Sequence, residues 1–136
     1  MRIFLGIFLA TLINFLFGLI GFQIVSNSFL FSYAPEFNLD ISFIDYLSSI
    51  LLKFLVIAML TWIMHKVMPL LDKPKKRILF IFILGSIFSL YGEINLFWTY
   101  SQWNWSAIII AGESLNWLIT GYVLSKFIRP NHLGAQ

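Results

Sequence analysis

Lys53, Glu93 and Glu113 are ionisable side chains set inside blocks of otherwise apolar residues. Each such group costs ~2.5 to 3.5 kcal/mol at the centre of a bilayer on insertion scales, so each is a candidate site residue by default. Counted along a helix axis at 1.5 Å per residue, Lys53 and Glu113 lie roughly 9 to 12 Å below one membrane edge and Glu93 roughly 7 Å, which predicts one shared polar layer. Two carboxylates and one ammonium leave a formal charge of minus one, which a proton or a cationic ligand would balance. Asn14 and Asn116 supply uncharged donors and acceptors near the same depth, so Lys53, Glu93, Glu113, Asn116 and Asn14 form the candidate set for ligand or proton binding.

A bland reading of the same residues stands beside this one. Lysine near a span end can snorkel outward, toward Asp45 or a lipid phosphate. Glu113 can sit protonated and hydrogen-bonded to Asn14 or Asn116, bracing the bundle without other work. Structural bracing is the preferred expectation, and a working site the alternative.

The elements that must position these groups follow from composition. The chain has 136 residues, of which 60% are hydrophobic and 11% charged, whereas soluble domains carry ~25% charged residues. A span needs about 20 apolar residues, and four blocks of that kind, about 3–25, 47–68, 78–98 and 105–127, take up most of the sequence. The expected fold is therefore all-α, a bundle of four transmembrane helices in one integral membrane domain, placed in a bacterial inner membrane or one like it. The first block is too long for the 7 to 15 apolar residues of a secretory signal, so it reads as a retained span.

Every lysine and arginine other than Lys53 falls at the start, at the end of the second block or in the connection after it, or at or beyond the end of the fourth: Arg2, Lys66, Lys73, Lys75, Lys76, Arg77, Lys126 and Arg129. The other two connections hold Glu36, Asp40 and Asp45 and no lysine or arginine. Basic loops stay on the cytoplasmic side, which predicts cytoplasmic termini. The net charge of +3 thereby reads as an orientation signal facing lipid headgroups, and no nucleic-acid partner is expected.

Small residues let helix backbones approach where lipid offers no hydrophobic drive for association. Gly6, Ala10, Asn14, Gly18 and Gly21 form one such stripe in the first span. Gly85, Ser86, Ser89, Gly92 and Glu93 form another in the third, and Ala107, Ala111, Ser114, Gly121 and Ser125 a third in the fourth. On the opposite side of the fourth span lie Glu113, Asn116, Trp117 and Thr120. Two non-lipid faces on one helix predict either a central position or a contact with a second subunit, whether another copy or a partner membrane protein.

Two other segments carry weaker signals. The alternation from Phe37 to Phe43 suits an extended piece with one apolar edge, lying on the membrane or over the mouth of the bundle. The aromatic run from Trp98 to Trp105 reads as an interfacial belt, with an amine-binding cage above the glutamates as the sharper option.

Much chemistry is excluded. Cysteine is absent, which removes disulfide scaffolds, thiolate catalysis and cysteine metal sites. His65 and His132 are isolated, so no metal site is expected, and no phosphate loop, serine elbow or cofactor motif is present. An enzyme is not expected. In small size and four spans the chain resembles the small multidrug resistance transporters, which exchange protons for organic cations. That family's first-span glutamate is Asn14 here and its loops are short, so no residue role carries over. The leading expectation is a small structural or accessory membrane protein, and the alternative a small oligomeric transporter or channel for protons or amine-like cations using Glu93 and Glu113.

Overall fold

The computed structural model describes residues 1–28, 42–100 and 103–128, and the side chains of 95–100 and 103 are set aside. The segment from Phe37 to Ile41, the tail beyond Ile128, and Ser101 and Gln102 of the aromatic run lie outside the described residues. Four helices follow in order: α1, Arg2–Ser26; α2, Phe43–Lys66; α3, Pro74–Tyr100; and α4, Trp103–Phe127. All four are long and apolar enough to cross a membrane, and no strand occurs among the described residues.

Local chemistry sets the helix ends. The Ser42 hydroxyl accepts from the Asp45 backbone N–H at 3.3 Å while the Asp45 carboxylate accepts from the Ser42 N–H at 2.8 Å, a capping box that starts α2 four residues before its apolar block. His65 and Lys66 in the last turn face the negative end of the α2 dipole. A single 3-10 turn, Met68–Leu70, follows, with Pro69 inside it, and Pro74 opens α3 at a position where its missing N–H costs nothing.

The tight turn between α2 and α3 is stapled by Arg77. Its guanidinium is buried and donates to the Leu71 carbonyl at 2.9 Å and the Asp72 carbonyl at 3.0 Å, satisfying two acceptors that no helix serves. Beside it the Asp72 carboxyl is held below its usual range, first by a hydrogen bond from Lys76 at 2.7 Å. Its contribution is present at neutral pH and lost as the pH falls through the lowered value. The pair is exposed and contributes little.

The most extensive contacts are between α3 and α4, then α1 and α4, then α1 and α2, with only slight contact between α2 and α3. α4 is thus the central helix. In its second half both predicted non-lipid faces are covered within one chain: Asn116, Trp117, Thr120, Gly121, Leu124 and Ser125 are all buried.

The core occupies one half of the bundle. Ala10, Ile57, Leu60, Met64, Met68, Leu71, Ile81, Trp117, Leu124 and Ile128 form a single buried cluster. The start of α1, the α2–α3 turn and the end of α4 meet in it, and we call that side the terminal end. Beyond Asn14, α1 has no buried residue, and α2 has none before Ile57. Toward the far end the first two helices bury no residue, although Phe15 and Tyr46 meet edge to face at 6.5 Å, while α3 and α4 stay packed, burying Glu93, Trp105 and Ser106. Large apolar side chains such as Phe8, Leu12, Phe17, Leu52, Leu55, Ile87 and Leu115 are exposed. For a membrane bundle that exposure is the lipid-facing surface.

The small-residue stripes therefore act over only part of their length. A methyl group on Gly6 would lie 2.7 Å from Phe127 Cβ, and one on Gly121 would lie 2.9 Å from the Ile78 carbonyl oxygen, so both sites need glycine. One on Gly18 would find ordinary contact at 3.8 Å, and Gly21, Gly92 and Gly112 face open space. The α1 stripe packs at the terminal end and opens toward the far end; in α3 Gly85 and Glu93 are buried while Gly92 faces open space, and in α4 Gly121 and Ser125 are buried while Ala107 and Ala111 are exposed.

Candidate functional site

At the point where α1 parts from its neighbours, Asn14 is fully buried and joins three helices. Its Oδ1 accepts from Lys53 Nζ of α2 at 2.8 Å, and its Nδ2 donates to Thr120 Oγ1 of α4 at 2.9 Å. Its backbone carbonyl accepts from Asn116 Nδ2 of α4 at 3.0 Å. Thr120 passes the chain on by donating to the Asn116 carbonyl at 2.8 Å, the back-bond that lets a hydroxyl sit inside a helix. In lipid such a set replaces hydrogen bonds that water cannot supply, with Asn116 Oδ1 left without a donor among the described residues.

Lys53 bends into the bundle. Its ammonium lies 3.8 Å from Glu113 Oε1, and both side chains are partly exposed, 24% and 30%. The alternative of an outward lysine paired with Asp45 does not occur, since Asp45 caps α2 instead. Nor does Glu113 bond to Asn14 or Asn116: the two asparagines bond to one another, and no described residue donates a hydrogen bond to Glu113.

Glu93 stands elsewhere. It is 9% exposed and accepts a hydrogen bond from Ser106 of α4, while its Oε2 has no partner among the described residues. Ser106 precedes Glu113 by roughly 10 Å along the α4 axis. The structure thus brings Lys53, Glu113, Asn14 and Asn116 together and sets Glu93 nearer the far end, within electrostatic reach of Glu113. Depth counted along each helix separately could not show this, because the stagger of α3 against α4 decides which residues face one another.

Two positions that the sequence offers only as packing or polar-face residues turn out to be central. Trp117 is 5% exposed, and its Nε1 donates to Ser89 Oγ at 2.9 Å; Ser89 in turn donates to the Gly85 carbonyl at 3.3 Å. The indole ring lies on Gly85, where a Cβ would fall inside the ring's own atoms. Gly85 is thus the seat of the tryptophan that joins α3 to α4. Thr120, which closes the Asn14 network, is the second, and its i+4 spacing from Asn116 was the available signal.

A cleft of about 460 Å³ opens from this network toward the far end, between α1, α4 and the start of α2. Its walls are apolar, with Phe15, Phe22, Ile24, Ile108 and Leu115 among them, and its polar floor is Lys53, Glu113 and Asn116. Volume and lining fall in the range of small-molecule sites, which are mostly apolar with a few converging polar groups. Glu93 is not part of it. No family model, curated protein or solved structure matches the chain.

Proposed function

We propose that this multi-pass membrane protein is a structural or accessory component rather than an enzyme, its polar layer serving to fix how α1, α2 and α4 pack and thereby to present a defined surface to a partner subunit or a second copy. The observation that carries this reading is the buried Asn14 side chain, engaged at both ends by Lys53 and Thr120. A layer so far occupied with itself is bracing.

The experiment is Glu113→Gln together with reconstitution in liposomes holding a pH dye. Glutamine keeps size and hydrogen-bonding capacity and Lys53 keeps its bond to Asn14, so the variant is expected to stay folded in detergent, its melting temperature lowered only by the loss of a counter-charge 3.8 Å away between partly exposed side chains. The wild-type liposomes are expected to show no proton flux when hydrophobic amines are added. Amine-driven proton flux that Glu113→Gln abolishes would overturn the accessory reading.

The second reading, a small transporter or channel for protons or amine-like cations, is favoured by one observation: the cleft reaches Glu113. Lys53→Met separates the two readings further, because it impairs coupled movement only if there is any.

For orientation we propose that the terminal end faces the cytoplasm, supported by its basic residues and by Lys66 and Lys126 lying 5.7 and 4.9 Å over the rings of Trp62 and Tyr122, as interfacial cations do. The exposed Lys75 provides the check, since the chain has no native cysteine. Lys75→Cys is expected to resist a membrane-impermeant thiol reagent added to intact cells and to react after permeabilisation. Labelling in intact cells would reverse the topology.

A further inference from the structure

The geometry points to the far-end cleft as a binding site for a protonated amine on a single alkyl chain, entering head first, with the Glu113 carboxylate receiving the ammonium group. Three observations lead there. First, the cleft has its polarity reversed relative to a bilayer lipid. Lys53 and Glu113 each lie ten residues, roughly 15 Å, inside the far end of their helix and roughly 9 to 12 Å below the edge of the apolar blocks, well inside the hydrocarbon core. The walls between them and the far rim are apolar. A phospholipid in its normal orientation would lay its chain ends on the charged floor and its headgroup on the apolar rim. A ligand with one buried head and one chain matches. The wall from Phe15 to Val25 is roughly 16 Å long at helical rise.

Second, the floor has a spare carboxylate. Lys53 donates one of its three protons to Asn14 at 2.8 Å and stands 3.8 Å from Glu113, beyond hydrogen-bond distance. The carboxylate therefore has a counter-charge but no donor among the described residues. Asn116 is 4% exposed and lines the cleft, but its Oδ1 is closed off, which leaves the partly exposed Glu113 carboxylate as the acceptor the cleft offers. An ammonium group is a donor in three directions and accepts nothing. A fatty acid would instead have to take the two remaining Lys53 protons, which is the competing outcome the titration reads.

Third, access is structural rather than accidental. Gly18, Gly21 and Gly112 line the cleft, and around Gly21 and Gly112 there is nothing within 4 Å of where a Cβ would stand. The absence of side chains there is what leaves the space open. This site adds a ligand to the accessory reading and needs no transport, so it is tested by binding and not by flux.

The test is calorimetric titration of wild-type protein in phosphatidylcholine nanodiscs with dodecylamine at neutral pH, with empty nanodiscs as the blank and dodecanoate as the acid counterpart. The expected result is saturable binding of one dodecylamine per chain and none of dodecanoate. Glu113→Gln should weaken binding about tenfold or more, the loss of one charge-assisted hydrogen bond. Gly21→Leu should weaken it comparably by filling the cleft, while circular dichroism and the melting temperature stay at wild-type values because its side chain enters empty space. Equal uptake by protein-loaded and empty nanodiscs would overturn the proposal, as would unchanged binding in Gly21→Leu. Dodecanoate binding as well as dodecylamine would overturn the assignment to Glu113 and place the ligand on Lys53.

Discussion

Gly85→Leu is expected to destabilise the protein by about 3 kcal/mol, the largest effect of any single change at a glycine of α3. The added atoms would have to occupy the place of the Trp117 ring near its Cγ and Cδ2, the part of the side chain that cannot swing away without moving the whole indole. Displacing that ring also breaks the bond from Nε1 to Ser89 and empties a buried position in the core. The measurement is the unfolding midpoint in detergent, with Gly92→Leu on the same helix as the comparison, since nothing lies within 4 Å of its added Cβ. Equal shifts for the two variants would show that the loss is general to α3 and not caused by the tryptophan seat.

Asn14→Leu is the second large effect, expected at about 2 to 3 kcal/mol although leucine suits a lipid environment better. The change strips Lys53 of its one short hydrogen bond and leaves its ammonium with a partner only at 3.8 Å. It also removes the donor to Thr120. Breaking one member of a buried charged set costs more than removing the set, because the survivors stay desolvated. The double variant Asn14→Leu with Lys53→Met should therefore recover part of the loss, and a double-mutant cycle on the same unfolding assay reads that recovery directly. Strictly additive losses would mean that Lys53 finds another partner when Asn14 is gone.

The contrast between these two sites shows what the sequence can express. The four spans are legible because length and apolarity alone decide them. That Lys53 and Glu113 meet is also legible, since both sit ten residues into their helices from the same end. Glu93 escapes such counting: its partner Ser106 is chosen by how far α3 slides along α4, and no residue in either segment announces that offset. Gly21 and Gly85 illustrate the same gap. Both occupy small-residue stripes of equal appearance, yet one faces open space and the other carries an indole, because helix divergence is a property of the assembled bundle. Trp117 likewise reads as one more polar-face aromatic until its neighbour across the helix interface is known.

The central place of α4 also governs the order in which the protein can be completed as it leaves the ribosome. α1 is made first, yet its broadest neighbour, α4, is made last, so Asn14 enters the bilayer long before Thr120 and Asn116 exist. The partner that emerges in time is Lys53 on α2, and the bond between them can close while the first two helices form a hairpin on their own. That early pairing shelters two polar groups from lipid during the interval in which the second half of the chain is still being synthesised. When α3 and α4 arrive as a second hairpin, Thr120 and Asn116 need only dock on a polar spot already in place. A chain truncated after α2 should thus insert and persist as a hairpin, whereas one lacking Lys53 would hold an orphaned amide in the membrane until its last helix appeared.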